Sequence, residues 1–145
     1  MSKTILNHKQ ILRLIDANCN RLKEGLRVTE DIVRFVAEDE KLTRRFKNIR
    51  HQITQILNQN PTIKTPAFIK ERRVESDVGK ASTLSEFKRK NIQDIFLANI
   101  QRVKESIRVL EEFFKLYDRK TALRFKALRY KIYAQEKHAL NKFNR

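Results

Sequence analysis

The chain has 145 residues, room for one buried core but not for two independent ones. Two glycines, two prolines, 40% hydrophobic and 34% charged residues describe long helices and exclude a turn-rich all-β fold. The net charge of +16 calls for an anionic partner, whether nucleic acid, anionic lipid or a small phosphorylated metabolite, without choosing among them.

No apolar run approaches bilayer length, and Met1-Ser2-Lys3-Thr4 opens no signal-like hydrophobic region, so a cytoplasmic protein with no membrane partner is expected. The first periodic segment runs from about Gln10 to Ala37, with Ile11, Ile15, Leu22, Leu26 and Val33 at helical steps. Within it Cys19, the sole cysteine, falls on the apolar side and reads as a small buried hydrophobe rather than a reactive thiol. Glu38-Asp39-Glu40 marks a break and a new N-terminus, and Leu42, Phe46, Ile49, Ile53 and Leu57 carry a second helix to about Asn58.

Periodicity then stops from Gln59 to about Ala81, where both prolines (Pro61, Pro66) and Gly79 lie. Thr83 and Glu86 fit a capping box for a third helix from Leu84 to Tyr117, with Phe87, Ile95, Leu97, Ile100, Val103, Ile107, Leu110 and Phe114 on its apolar stripe. Asp118 can cap a fourth helix carrying Leu123, Phe125, Leu128, Ile132 and Leu140. The charge is concentrated on the second helix (Lys41, Arg44, Arg45, Lys47, Arg50) and in residues 119–145, where Glu136 is the only acid.

The chain also repeats itself. Residues 17–31 (ANCNRLKEGLRVTED) align with 98–112 (ANIQRVKESIRVLEE) at an offset of 81, with eight of fifteen positions identical. Residues 45–53 (RFKNIRHQI) align with 124–132 (RFKALRYKI) at an offset of 79, with five of nine identical. The expected fold is all-α, a single domain over residues 1–145: repeat one about 10–58, a loop at 59–82 and repeat two about 83–144. Two duplicated helical hairpins joined by a long crossover would pack as a pseudo-two-fold four-helix bundle.

Shared hydrophobic positions need only a common core, but shared charges need more. At 100° per residue Ala17, Arg21, Glu24, Val28, Asp31 and Phe35 form a stripe about 140° from the apolar centre, flanked by Asn18 and Arg27. Ala98, Arg102, Glu105, Val109 and Glu112, flanked by Asn99 and Arg108, repeat it. One reading is a solvated ladder of i,i+3 ion pairs. The other, suggested by the interleaved Ala, Val and Phe, is a semi-buried site whose arginines bind phosphate or carboxylate and whose acids hold a cation or take a proton. In the connection, Arg72-Arg73-Val74-Glu75-Ser76-Asp77-Val78-Gly79 is either a flexible charged loop or one that folds over an anionic ligand. In the second case Asp77 is available to a metal or hydroxyl and Gly79 to a backbone turn forbidden to other residues.

Neither phosphate-loop nor dinucleotide glycine motif is present, so any phosphate site must use side chains. His51 reads as a packing or hydrogen-bonding residue, and His8 and His138 as solvated.

The motifs A-N-x-N-R-x-x-E-G-L-R-V-x-E-D at 17–31, D-V-G at 77–79 and A-N-x-x-R-x-x-E-x-x-R-V-L-E-E at 98–112 resemble a helical domain found alone or fused ahead of bacterial thiamine phosphate synthase. That domain is described as a hydroxymethylpyrimidine-phosphate kinase, and the resemblance covers roughly residues 10–135. It implies ATP as co-substrate, Mg²⁺ as cofactor, a small phosphorylated pyrimidine as acceptor, and a thiamine phosphate synthase or a second copy of the chain as further partners. Carried over residue by residue, it marks Asn18, Arg21, Glu24, Arg27, Glu30 and Asp31, then Asn99, Arg102, Glu105, Arg108, Glu111 and Glu112, with Asp77 and Gly79. Substrate and phosphate contacts would fall to Asn18, Arg21, Arg27, Arg72, Asn99, Arg102, Arg108 and Gly79, catalytic work to Glu24, Asp31, Asp77, Glu105 and Glu112, and Mg²⁺ to Glu24, Asp31 or Asp77. Arg73 departs from the resemblance, which puts an acidic or amide residue there. The rival readings are a basic helical nucleic-acid-binding module without enzymatic activity and a helical enzyme acting on a carboxylate metabolite, which would need the arginines but neither ATP nor Mg²⁺.

Overall fold

A computed structural model describes the backbone of residues 2–144 and the side chains of residues 8–144 other than Ser85. Met1 and Arg145, the limits of the expected domain, lie outside the described residues. The described residues form five α-helices and no strand: α1 (Ser2–Asp31), α2 (Glu40–Gln59), α3 (Thr65–Lys70), α4 (Ile92–Phe114) and α5 (Arg119–Phe143). The same residues contain no helix long and apolar enough to cross a membrane.

The expected core centre holds: Ile15, Leu22, Leu26 and Val33 are fully buried, and Cys19 is buried beside them. Beyond Asp31 the first helix widens into a π-turn, Ile32–Val36, in which the Ala37 N–H reaches back five residues to the Ile32 carbonyl (3.0 Å). Phe35 lies in this turn, exposed (62%) as are Arg21, Glu24 and Asp31 of its predicted stripe, with the Arg34 guanidinium over its ring. Glu38, at φ 50°, breaks the chain direction, and the Asp39 carboxylate accepts the Leu42 N–H (2.9 Å) to start α2 as expected. Asp118 caps α5 in the same way, accepting from the Thr121 N–H at 3.1 Å and from the Thr121 hydroxyl.

The connection departs from expectation at two places. The expected loop at 59–82 contains a short helix, α3, entered through a turn in which the buried Asn60 carboxamide accepts the Ile63 N–H (2.8 Å) and donates to the Leu57 carbonyl (2.7 Å). That turn aims Ile63 and, from α3, Phe68 into the core. The third long helix also starts later than the Thr83–Glu86 box predicts. That box opens only a 3-10 turn, Leu84–Phe87, whose Leu84 and Phe87 are 85% and 71% exposed. Without apolar burial to extend it the turn stops, and Asn91 caps α4 instead by accepting the Asp94 N–H (2.8 Å). Ile95, Leu97 and Leu123, expected on apolar stripes, are partly exposed, while Phe96 takes the core position against Phe46 and Phe143.

Among the long helices, α1 packs most extensively on α4, α4 on α5, and α2 on both α5 and α1. The Glu30 carboxylate accepts from Arg50 of α2 (Nε 3.1 Å) and from Arg27 (3.3 Å). The Glu111 carboxylate accepts from Arg129 of α5 (Nε 2.9 Å) and from Arg108 (2.8 Å). Both carboxylates are buried, so each arginine pair compensates a charge that would otherwise be costly to bury.

Candidate functional site

The site is built where α1 crosses α4. A Cβ at Gly25 would stand 2.8 Å from Val103 Cγ2 and 3.1 Å from the Asn99 carbonyl oxygen, so no other residue allows the helices this close. A mid-helix glycine costs about 0.5–1 kcal/mol relative to alanine, and the close approach accounts for its presence.

Beside this crossing a cleft of about 500 Å³ gathers Asn18 and Arg21 from α1, Arg102, Glu105 and Ser106 from α4, and Lys80 from the connection, with Gly79, Glu86 and Val109 completing its walls. Three cations therefore face two carboxylates. Asn18 is buried, its amide donating to the Leu14 carbonyl (2.9 Å) while its oxygen accepts from Arg21 Nη1 at 3.5 Å. Gln101 donates to Glu105 Oε1 (3.0 Å). The Ser106 hydroxyl is turned back onto its own helix, donating to the Arg102 carbonyl (2.8 Å).

Of the residues predicted for the site, Asn18, Arg21, Arg102, Glu105 and Gly79 come together in this cleft. Glu24, Arg27, Asp31, Asn99, Asp77 and Glu112 do not line it, and most of the charged ladder is exposed. Arg27 leans on Glu30, whereas Arg108 bridges Glu111 and Glu112 (2.8 and 3.1 Å). Lys115 donates to Glu112 at 2.8 Å, and that bond holds the Glu112 carboxyl below its usual range. Among the described residues no three acids, histidines or cysteines converge as a metal cluster, so Glu24, Asp31 and Asp77 do not form one.

The connection corrects the sequence reading at two residues. Arg72 does not turn its fork to the cleft: it grips the buried Asp16 carboxylate with two bonds of 2.6 Å, which raises the pKa of its guanidinium. Its work is to tie the connection to α1. Gly79 has no left-handed backbone, and an added Cβ would meet only Asp77 Oδ1 at 3.5 Å. Its N–H donates to Asp77 Oδ1 (2.9 Å), closing a turn that delivers Lys80 to the cleft. Arg73 is exposed.

Sequence reasoning missed Lys80, Glu86 and Ser106 as cleft residues, and Asp16 as the anchor of Arg72. Ser106 was legible as the partner of Gly25 in the repeat; the others lie in irregular chain or pair across 56 residues, where periodicity carries no signal. His51 is exposed, and His8 Nδ1 stands 3.1 Å from the Tyr117 hydroxyl. Burial pushes the Cys19 thiol up to about 12, which keeps it protonated and inert near neutral pH.

A second cleft of about 730 Å³ lies between α4 and α5, walled by Arg108, Lys115, Arg119, Lys126, Arg129 and Tyr130. Arg129 also donates to the Tyr133 hydroxyl (2.9 Å), and with Glu111 this raises its pKa.

The sequence has relatives among known proteins. The chain is 34% identical to the thiamine-phosphate synthase of Rhodopirellula baltica over 87% of its own length and 33% of the relative's. It is 37% identical to that of Thermosynechococcus vestitus (88% and 35%) and 35% identical to that of Synechocystis sp. (87% and 35%). It thus spans about a third of the length of these curated relatives. No solved structure matches it. The ThiD2 family model covers residues 13–138, taking in α1 from Arg13 onward, the crossing glycine, the connection, α4 and most of α5, and the chain belongs to the ThiD2 family.

Proposed function

We propose that this chain is the kinase of a thiamine-forming route, transferring the γ-phosphoryl group of ATP to hydroxymethylpyrimidine phosphate to give the diphosphate and ADP. The proposal includes its scaffold: two duplicated helical hairpins related by a pseudo-two-fold axis as a four-helix bundle. The observation that carries it is the cleft at the α1–α4 crossing, which draws Arg21 and Arg102, equivalent positions of the two similar segments, into one space with Lys80 and Glu105.

Phosphoryl transfer asks mainly for positioning and charge neutralisation. A phosphate oxygen of the monophosphate forms the new bond to the γ-phosphorus while the bond to the β,γ-bridging oxygen breaks and ADP leaves. That acceptor oxygen already carries negative charge near neutral pH, so no side chain has to remove a proton. Arg21 and Arg102 would grip the acceptor phosphate, and the Asn18 oxygen steadies Arg21. Mg²⁺ is commonly held by one or two protein carboxylates plus phosphate oxygens, and Glu105 with Glu86 fits that donor set. When bound it would supply neutralisation of the polyphosphate charge.

A coupled assay of ADP release with the pyrimidine monophosphate and Mg-ATP tests this. Turnover is expected, with Arg102→Ala lowering kcat/KM about a hundredfold and Glu105→Gln comparably. No ADP release at micromolar enzyme would sink the reading.

The nucleic-acid module is favoured by net charge alone. Against it, the cations of α5 do not share one stripe: Lys120 and Arg124 line a small cleft beside Pro61, Arg119 and Lys126 face α4, and Lys142 reaches Asp39 (3.8 Å). A basic module would bind DNA or RNA with steep salt dependence, and dispersed cations predict weak binding without sequence preference.

A further inference from the structure

We propose that the cleft between α4 and α5 is a second, separate binding site for the polyphosphate chain of a nucleotide, with Arg119 and Lys126 as its anion contacts and Tyr130 beside the base. This rests on the kinase reading for the nucleotide's identity, but not for the anion affinity.

The charge count comes first. Arg108, Lys115, Arg119, Lys126 and Arg129 line one concave space of about 730 Å³ with Glu111, and Glu112 pairs with Arg108 and Lys115 beside it, which leaves a net of three positive charges. A nucleoside triphosphate carries about four negative charges, and pockets for such ligands run to several hundred cubic ångströms. Within the cleft the cations divide by role. Arg108 and Arg129 are committed to Glu111, and Lys115 to Glu112. Arg119 and Lys126 have no acidic partner among the described residues.

Stability does not account for those two. Arg119 occupies the first turn of α5, where the helix dipole disfavours a cation, and that turn carries no acid. The first turns of α2 and α4 carry Glu40 and Asp94. At the start of α2 a cleft of about 450 Å³ sets Glu38, Asp39 and Glu40 against Arg34, Arg44 and Lys47, a balanced set. A cleft at a helix start of this fold therefore need not be cationic. Leu123 and Tyr130 supply an apolar edge, both more than half exposed, and the Arg129 guanidinium lies 5.2 Å from the Tyr130 ring centre, holding its face in place. Glu105 of the first cleft and Arg108 of the second stand three residues apart on α4, so ligands in the two would approach along one helix.

Calorimetric titration of the whole chain with inorganic tripolyphosphate and with a non-hydrolysable ATP analogue tests the assignment. Both ligands are expected to bind. The Arg119→Ala/Lys126→Ala variant should weaken both by about tenfold or more, and Tyr130→Ala the analogue alone. Arg129 and Glu111 are left intact because they join the helices, and circular dichroism checks that each variant is folded. Tripolyphosphate affinity unchanged in the double variant, or absent in the wild type, overturns the site. Failure of the kinase reading looks different: both ligands bind in dependence on Arg119 and Lys126, but no phosphoryl group is transferred.

Discussion

The α1–α2 and α4–α5 sides of this molecule carry the same buried device and different surfaces around it. In one, Glu30 holds Arg27 and Arg50; in the other, Glu111 holds Arg108 and Arg129. The cleft at the start of α2 balances its acids and bases, whereas the cleft that contains Arg108, Glu111 and Arg129 has cations in excess. What both sides keep is what the helices need to stay joined; what differs is free to serve a ligand. The two arginines that reach across helices also differ, since Arg50 is 24% exposed and Arg129 11%.

That difference sets the largest expected effect. Arg129→Met leaves Glu111 buried with only the lateral Arg108, and should cost about 3 kcal/mol of unfolding free energy. Arg50→Met should cost clearly less, because water already reaches that pair. Urea denaturation of both variants measures the gap, and equal losses would remove the asymmetry. Next is the helix crossing. Gly25→Val must push α1 off Val103 and the Asn99 carbonyl, an overpacking of about 2 kcal/mol that also opens the cleft. Ser106→Gly, at the aligned position, should lose about 1 kcal/mol or less through helix propensity. If the valine is tolerated as well as the glycine, the crossing is not a tight point.

Those local features bear on what a sequence can disclose. Asp118 was legible as a cap, and the Glu38–Glu40 run as the start of α2, because a cap is short-range chemistry: one carboxylate, one N–H three residues on. The Ile15, Leu22, Leu26 and Val33 stripe was legible because burial follows helical period. Leu84 was misplaced as a helix start because Thr83 and Glu86 satisfy a cap pattern without a buried face behind it, and the π-turn at Ile32–Val36 carried no signal in the 100° pattern. At the site, Arg21, Arg102 and Glu105 were readable from the repeat. Lys80 was not, since its position depends on Arg72 gripping Asp16 at a distance no local pattern encodes.

The two caps offer the smallest and most discriminating comparison. Asp39 is followed at the third position by Leu42, which supplies only its N–H, whereas Asp118 is followed by Thr121, which supplies N–H and hydroxyl together. The Thr121 hydroxyl, more than any other contact, holds the Asp118 carboxyl below its ordinary value of 3.8. A carboxylate whose pKa is lower folded than unfolded contributes stability that is full above the unfolded value and lost as pH falls through the folded one. Asp118 should therefore stabilise α5 at neutral pH and cease to do so in acid, and Thr121→Val should shift that loss to higher pH while leaving the backbone cap in place. Asp39→Ala should remove about 1 kcal/mol at neutral pH. Urea midpoints followed from neutral pH down to about pH 3 separate the cases: an acid limb identical in the wild type and Thr121→Val would mean that the hydroxyl adds nothing to this cap.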